Sequence, residues 1–121
     1  MSDQEFEITI KESKTGITIV NVNGFLDAQT FEIMESKLSE LIRDRKTKLI
    51  INLKDTEYIS SAGAGVFITA RTQAEEIGGA ILLMNPNEAV REVFDILGLS
   101  AIFNVIDNIE EGEAIFAHQK S

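Results

Sequence analysis

The chain has 121 residues. At roughly 100–200 residues per domain, this length predicts a single domain and excludes a multidomain enzyme. Hydrophobic residues make up 44% of it and charged residues 26%, so the chain can bury a core and is not intrinsically disordered. The net charge is -9, and a surface this acidic repels nucleic-acid phosphates and anionic lipid headgroups. We therefore expect a protein or a small ligand as partner, and neither nucleic acid nor a membrane.

Cysteine usage and the first residues indicate a compartment. The chain has no Cys, which excludes disulfides, thiolate nucleophiles and Cys-based metal sites. Residues 1–5 are polar and acidic, unlike a signal peptide, and no apolar run approaches the roughly 18 residues of a membrane span. We expect a cytoplasmic protein with no segment inserted in a membrane.

The first elements predicted along the chain are a β-hairpin and a helix. Apolar and polar residues alternate over residues 6–10, which is the period of a half-buried strand, and residues 13–16 supply a turn. Residues 17–23 are rich in β-branched side chains and predict a second strand that stops at Gly24. After Asp27 the period becomes helical and predicts an amphipathic helix of about four turns that ends near residues 43–46. Its apolar stripe is Phe31, Met34, Leu38 and Leu41.

The rest of the chain alternates strands and helices. Residues 49–53 and 81–84 are nearly unbroken apolar runs, typical of strands buried on both faces, and a helix is predicted between them from about 62 to 77. Residues 85–88 predict the start of another helix, with Asn85 as the cap, Pro86 as the first helical residue and Glu88 as the third. Gly98 marks the end of this helix. A short strand around residues 103–106 and a helix over about 109–117 follow.

This order predicts an α/β fold with one mixed β-sheet. The sheet has an antiparallel hairpin at the start and parallel crossovers later, with about four helices. In such sheets, sites lie beyond the carboxyl ends of the parallel strands. That rule selects two loops, residues 54–61 and residues 85–87.

The usual catalytic constellations are missing from the sequence. Residues 63–65 resemble the start of a dinucleotide fingerprint, but Ile68 occupies the third glycine position, and there is no phosphate-loop Gly-Lys-Ser/Thr. His118 is the single His, near the end of the chain, and no base stands beside Ser60 or Ser61 in the sequence. We expect a binding or switching protein that is not an enzyme and has no metal and no cofactor.

Residues 58–66 form the most informative segment. Ser60 or Ser61 could be a helix N-cap, with Gly63 and Gly65 present only to let the helix pack closely on the sheet. Two glycines in an early turn destabilise a helix by roughly 0.5–1 kcal/mol each relative to Ala. This cost favours a second interpretation, in which the glycines have a function. They would form a surface poor in side chains, on which the active site of a partner reaches a serine hydroxyl.

This segment, together with residues 24–27 and residues 78–81, resembles the STAS domain of bacterial anti-sigma factor antagonists. The resemblance runs from about residue 5 to 116, so residues 1–121 are expected to form a single STAS domain. It implies that an anti-sigma factor with serine kinase activity phosphorylates Ser61, and that a PP2C-type phosphatase reverses the modification. It also implies that the unphosphorylated form binds the kinase and thereby releases the sigma factor.

Two positions depart from the commonest form of the motif. Ser60 stands where many members have Asp, which makes Ser60 the second choice of phosphoacceptor, and Ala62 removes the hydroxyl that often follows. Asp27 matches an acidic position at the family's partner surface, and it is equally suited to cap the first helix. The expected partner-binding residues are Asp27, Ser60, Ser61, Ala62, Gly63, Ala64 and Gly65.

Two other functions stay open at this point. The chain could be a non-switching STAS module, a structural subunit of a transporter or signalling complex, with Ser61 only a cap. It could also be a small ligand-binding or enzymatic α/β domain. Residues 59–68 carry no charge within an otherwise acidic chain, and one added phosphate would change the local potential most there.

Overall fold

A computed structural model describes residues 6–119, so the predictions for residues 1–5 fall outside the described residues. The strands are β1 (Glu7–Glu12), β2 (Thr18–Leu26), β3 (Lys48–Asn52), β4 (Thr56–Ile59), β5 (Ala80–Met84) and β6 (Val105–Ile106). The helices are α1 (Phe31–Arg43), α2 (Ser61–Glu76), α3 (Glu88–Ile96) and α4 (Ile109–Gln119), with one 3-10 turn at Leu99–Ala101.

One mixed sheet organises the domain. Its strands lie in the order β1-β2-β3-β5-β6, and β4 pairs with the end of β2. The β1–β2 pair is antiparallel, and the β2–β3, β3–β5 and β5–β6 pairs are parallel. The predicted α/β fold, with an N-terminal hairpin, later parallel crossovers and four helices, is confirmed.

Two apolar clusters cover the two faces of the sheet. Helices α1, α2 and α3 contribute to the larger cluster, where Met34, Phe67 and Phe94 are fully buried. Helix α4 covers the other face, where Phe116 packs with residues of β3, β5 and β6. The sheet therefore lies between three helices and one, as expected for strands that are apolar on both faces.

The sequence prediction was wrong at the end of β2 and in the segment that follows β3. Strand β2 does not stop at Gly24; it continues to Leu26, because Gly24 adopts a φ of 107° and the pairing with β4 shifts register there. The predicted loop 54–61 contains β4, whose buried Thr56 hydroxyl donates to the Val22 carbonyl at 2.9 Å. Only two of the four β4 residues are buried, at its ends, so the segment shows no period of two.

The predicted starts of two helices also need correction. Helix α1 begins at Phe31 with Thr30 in the cap position, so Asp27 is not its N-cap. Helix α3 is capped by Asn87, whose Oδ1 accepts from the Val90 N–H at 2.8 Å. Asn85 instead adopts a left-handed φ of 58° that turns the chain before the helix. Both Asn residues suit a cap, and the backbone turn decides between them.

Candidate functional site

The carboxyl end of β2 fixes the start of helix α2. The Ser60 N–H donates to the Leu26 carbonyl at 2.9 Å. Gly63 lies against the same residue: a Cβ added there would stand 2.8 Å from Leu26 Cγ and closer still to its carbonyl oxygen. Because only a residue without a side chain fits, Gly63 sets how closely the first turn of α2 approaches the sheet.

Ser60 and Ser61 have different roles in the structure. Ser60 is the N-cap: its Oγ accepts from the Gly63 N–H at 3.1 Å and its carbonyl accepts from the Ala64 N–H at 2.8 Å. Ser61 is the first helical residue and is exposed, and no described residue hydrogen-bonds its hydroxyl. The sequence left open which serine caps the helix and which presents an accessible hydroxyl. In the structure Ser60 is the cap and Ser61 has the accessible hydroxyl.

The other residues of the motif divide between surface and core. Ala62 is exposed and Gly65 is half-buried with open space around its Cα, so both lie at the surface beside Ser61. Gly63 and Ala64 are buried in the domain, and their contact with a partner stays a prediction. Their small size serves the packing of α2 on the sheet.

Asp27 lies in a tight turn between β2 and α1. Its Oδ1 accepts from the Gln29 N–H at 3.0 Å, and its own N–H donates to the Thr30 hydroxyl oxygen at 3.0 Å. The Thr30 hydroxyl donates to the Phe25 carbonyl at 2.8 Å. The turn holds the half-buried Asp27 at the same end of β2 that anchors Ser60.

The two loops selected by the carboxyl-end rule meet in the structure. Asn87 Nδ2 donates to the Thr56 carbonyl at 3.1 Å, while Asn87 Oδ1 caps α3. One side chain therefore joins the loop after β5 to strand β4 and to the first turn of α3. This contact was not predicted from the sequence.

Three exposed apolar side chains lie on β4, α1 and α2, the elements that contribute to this end of the domain. Tyr58 is 45% exposed and its ring lies 5.9 Å from that of Phe25, centroid to centroid. Ile68 is 43% exposed and, seven residues after Ser61, lies on the same side of α2. Ile33, in the first turns of α1, is 56% exposed. The sequence did not predict that these side chains are exposed; the one available signal was Ile33, which lies off the apolar stripe of α1.

The described residues carry neither a metal-binding cluster nor a membrane-spanning helix. Among residues 6–119, no group of three or more His, Cys, Asp or Glu side chains is arranged to hold a metal ion. None of the helices described is both long enough and apolar enough to span a membrane.

Comparisons with known proteins identify the family. The STAS domain model matches residues 9–112, and the chain belongs to the STAS domain family. The chain is 31% identical to an anti-sigma-B factor antagonist of Bacillus subtilis, over 87% of this chain and 94% of that protein. It is 28% identical to an anti-sigma F factor antagonist of Paenibacillus polymyxa, over 80% and 84% of the two chains. In structure it is similar to an anti-sigma factor antagonist from Mycobacterium paratuberculosis, with a TM-score of 0.84, 17% identity and coverage of 94% and 96%.

Proposed function

We propose that this protein is an anti-sigma factor antagonist controlled by phosphorylation of Ser61. In its unphosphorylated form it binds an anti-sigma factor that is also a serine kinase, and this binding releases the sigma factor. Phosphorylation by that kinase ends the interaction, and a PP2C-type phosphatase restores it. The observation that carries the proposal is the exposed Ser61 hydroxyl on the first residue of α2, beside a Ser60 whose own hydroxyl is engaged as the cap.

Accessibility favours Ser61 as the phosphoacceptor over Ser60. A kinase needs the serine oxygen to attack the γ-phosphorus of ATP, with the hydroxyl proton passing to a base of the kinase and ADP leaving. The Ser60 oxygen accepts from the Gly63 N–H at 3.1 Å, so phosphorylation of Ser60 would have to rearrange the hydrogen bond that caps α2. The Ser61 oxygen can react without loss of any hydrogen bond to the described residues.

The small residues around Ser61 suit the approach of an active site. Ala62 is exposed, and the space around Gly65 is open, so no long side chain of these two residues shields the hydroxyl. The exposed apolar side chains of Tyr58 and Ile68 add surface on which a partner can bury area. Residues 59–68 have no charge, so a partner that binds here does not have to desolvate an ion.

A phosphate on Ser61 is expected to change the interface and leave the fold intact. It adds about -1.5 to -2 charge, and the positive end of the α2 dipole tolerates an anion at this position. The backbone N–H groups of the first turn can also donate to phosphate oxygens. At an apolar interface, by contrast, the same charge has to be desolvated. A penalty near 3 kcal/mol would weaken the complex roughly a hundredfold.

The proposal is tested with the protein, its candidate anti-sigma factor and ATP. We expect intact-mass measurement to show one added phosphate on the wild type and on Ser60→Ala, and none on Ser61→Ala. Calorimetry should show that Ser61→Asp binds the anti-sigma factor far more weakly than the wild type does. Ala114→Asp, which adds a negative charge at an exposed position of α4, is the matched control and should bind normally.

Three results would overturn the proposal. One is a phosphate that persists in Ser61→Ala. The second is binding that Ser61→Asp leaves unchanged, which would identify a non-switching module of a larger complex. If the wild type binds a nucleotide or metabolite and no anti-sigma factor, the protein belongs to a different functional class.

A further inference from the structure

Strand β1 forms an open edge of the sheet. It pairs with β2 along all six residues without a register shift, and none of the described residues pairs as a strand with its other edge. Residues 7–12 contain no Pro, and the pairing contains no bulge. Natural proteins usually block such an edge, because its free N–H and C=O groups pair readily with another strand.

The hydrogen bond at the hairpin shows which backbone groups face this edge. The Ser13 N–H donates to the Ile17 carbonyl at 2.8 Å, and antiparallel pairs alternate along a strand. The backbone groups of Glu7, Thr9 and Lys11 therefore point toward β2. Those of Ile8 and Ile10 point away from β2, into the open edge.

The side chains of β1 also alternate. Glu7, Thr9 and Lys11 are exposed on one face, while Ile8 and Ile10 are half-buried on the other face against the larger core cluster. The exposed face thus carries a negative charge at one end, a positive charge at the other and a small hydroxyl residue between them. Reversing the strand exchanges the two charges.

We propose that β1 pairs with β1 of a second copy of this chain, antiparallel and with the two-fold axis at Thr9. In this register Glu7 lies opposite Lys11 of the second copy, and Lys11 lies opposite its Glu7. Ile8 and Ile10 lie opposite each other on the core face, and their outward backbone groups form the hydrogen-bonded pairs. The strand is therefore complementary to itself in charge, in polarity and in hydrogen bonding.

Neighbouring registers lack this complementarity. In an antiparallel pair, directly opposed side chains lie on the same face of the sheet. The two-fold axis must therefore pass through a residue, and other registers place it at a different residue of β1. An axis at Ile8 places Glu7 opposite Thr9, and an axis at Ile10 places Ile8 opposite Glu12. Only the axis at Thr9 sets both copies' Glu7 and Lys11 side chains against opposite charges.

The dimer leaves the candidate site accessible. The Gly24 N–H, on the side of β2 away from β1, donates to the Asp55 carbonyl at 3.1 Å, so β4 follows the other side of β2. Ser61 begins the helix that follows β4. Pairing through β1 therefore joins two copies and gives the assembly two accessible Ser61 hydroxyls.

Cysteine cross-linking tests the register, since the chain has no Cys of its own. At the two-fold axis the Cα atoms of a non-hydrogen-bonded pair are about 4.5 Å apart, within the range of a disulfide. Thr9→Cys should therefore form a covalent dimer under mild oxidation. Lys11→Cys is the matched exposed control. In the proposed dimer, position 11 of one copy lies four residues along the strand from position 11 of the other copy, roughly 13 Å away. The two cysteines should therefore cross-link much more slowly. Equal rates, or a faster Lys11→Cys, would overturn the proposed pairing.

A charge exchange tests the Glu7–Lys11 contact in sedimentation equilibrium. Glu7→Lys and Lys11→Glu each place like charges together, and each should raise the dimer dissociation constant about tenfold. The double variant should dimerise like the wild type. An equimolar mixture of the two single variants should form heterodimers, because every pair in that heterodimer is of opposite charge. Single variants that dimerise as well as the wild type, or a mixture that stays as weak as its components, would refute the contact.

Discussion

Gly63 lies so close to Leu26 that no side chain fits between the first turn of α2 and the end of β2. We expect Gly63→Ala to lower the free energy of unfolding by about 1–3 kcal/mol, the usual cost of overpacking a tight contact. Urea denaturation measures this difference. The backbone carbonyl of Leu26 is the nearest group to the added methyl, so a rotamer change of Leu26 alone cannot relieve it.

Gly65 provides the matched control for that substitution. It lies two residues further along the same helix, and nothing stands within 4 Å of an added Cβ. Gly65→Ala should stabilise the protein by up to about 1 kcal/mol through helix propensity. A Gly63→Ala variant as stable as Gly65→Ala would show that the contact with Leu26 does not limit the packing of α2.

Because the two serines have different roles, their removal should lower stability by different amounts. Ser60→Ala removes the N-cap of α2 and should lower the free energy of unfolding by about 1 kcal/mol. Ser61→Ala removes an exposed hydroxyl that bonds no described residue and should change it by less than about 0.5 kcal/mol. Thermal denaturation of both variants checks this. An equal loss in Ser61→Ala would mean that its hydroxyl also supports the helix.

Asn87 joins two parts of the candidate site, and its two functions can be separated. Asn87→Ala removes both the cap of α3 and the hydrogen bond to the Thr56 carbonyl, each worth about 1 kcal/mol. Asn87→Ser keeps a capping oxygen and removes only the bond to Thr56, so it should lose about half as much stability. Denaturation curves compare the two. If Asn87→Ser matches the wild type, the bond to Thr56 contributes nothing to stability.

Glu12 predicts a small dependence of stability on pH. Hydrogen bonds from Lys46 at 3.1 Å and Thr18 at 3.0 Å hold the pKa of its carboxyl below the usual range. Glu12 therefore stabilises the folded state at neutral pH, above the pKa that its carboxyl has in the unfolded chain. This stabilisation is lost as the pH falls through the lower pKa that the carboxyl has in the folded state. Because its side chain is 47% exposed, solvent screens the pair and the contribution stays below about 1 kcal/mol.

Urea denaturation of Glu12→Gln between neutral and acidic pH measures this contribution. The wild type should be the more stable of the two at neutral pH, and the difference should vanish once Glu12 is protonated. Glu92→Gln, which removes the same charge at an exposed position of α3, is the control for the change in net charge. A difference that grows as the pH falls would contradict the assigned cause.

Much of the fold was predictable because its signals are local. The alternation over residues 6–10 and the apolar runs at 49–53 and 81–84 predicted strands, and the stripe from Phe31 to Leu41 predicted the first long helix. Alternation of strands and helices then restricted the sheet to parallel crossovers. Element boundaries were less secure: two helix caps lay two or three residues from their predicted positions, because several residues nearby suited a cap.

The candidate site was predicted in part. The sequence indicated Ser60, Ser61 and the small residues that follow, because their types and spacing form a motif. It did not distinguish the capping serine from the exposed one. It also did not show that Gly63 and Ala64, expected at a partner surface, are buried, since small residues suit a surface and a close packing contact equally well.

By itself, the sequence determined the kinds and order of the elements other than β4 and the 3-10 turn, the acidic character of the domain and the location of the serine motif. The tertiary structure decided which serine caps α2, why Gly63 has no room for a side chain, and that β4 and Asn87 complete this end of the sheet. The reason is the separation along the chain of the groups involved. Thr56 forms a hydrogen bond with Val22, 34 residues away along the chain, and Asn87 forms one with Thr56, 31 residues away. Contacts over such distances leave no periodic trace in the sequence and exist only once the sheet has brought its strands together.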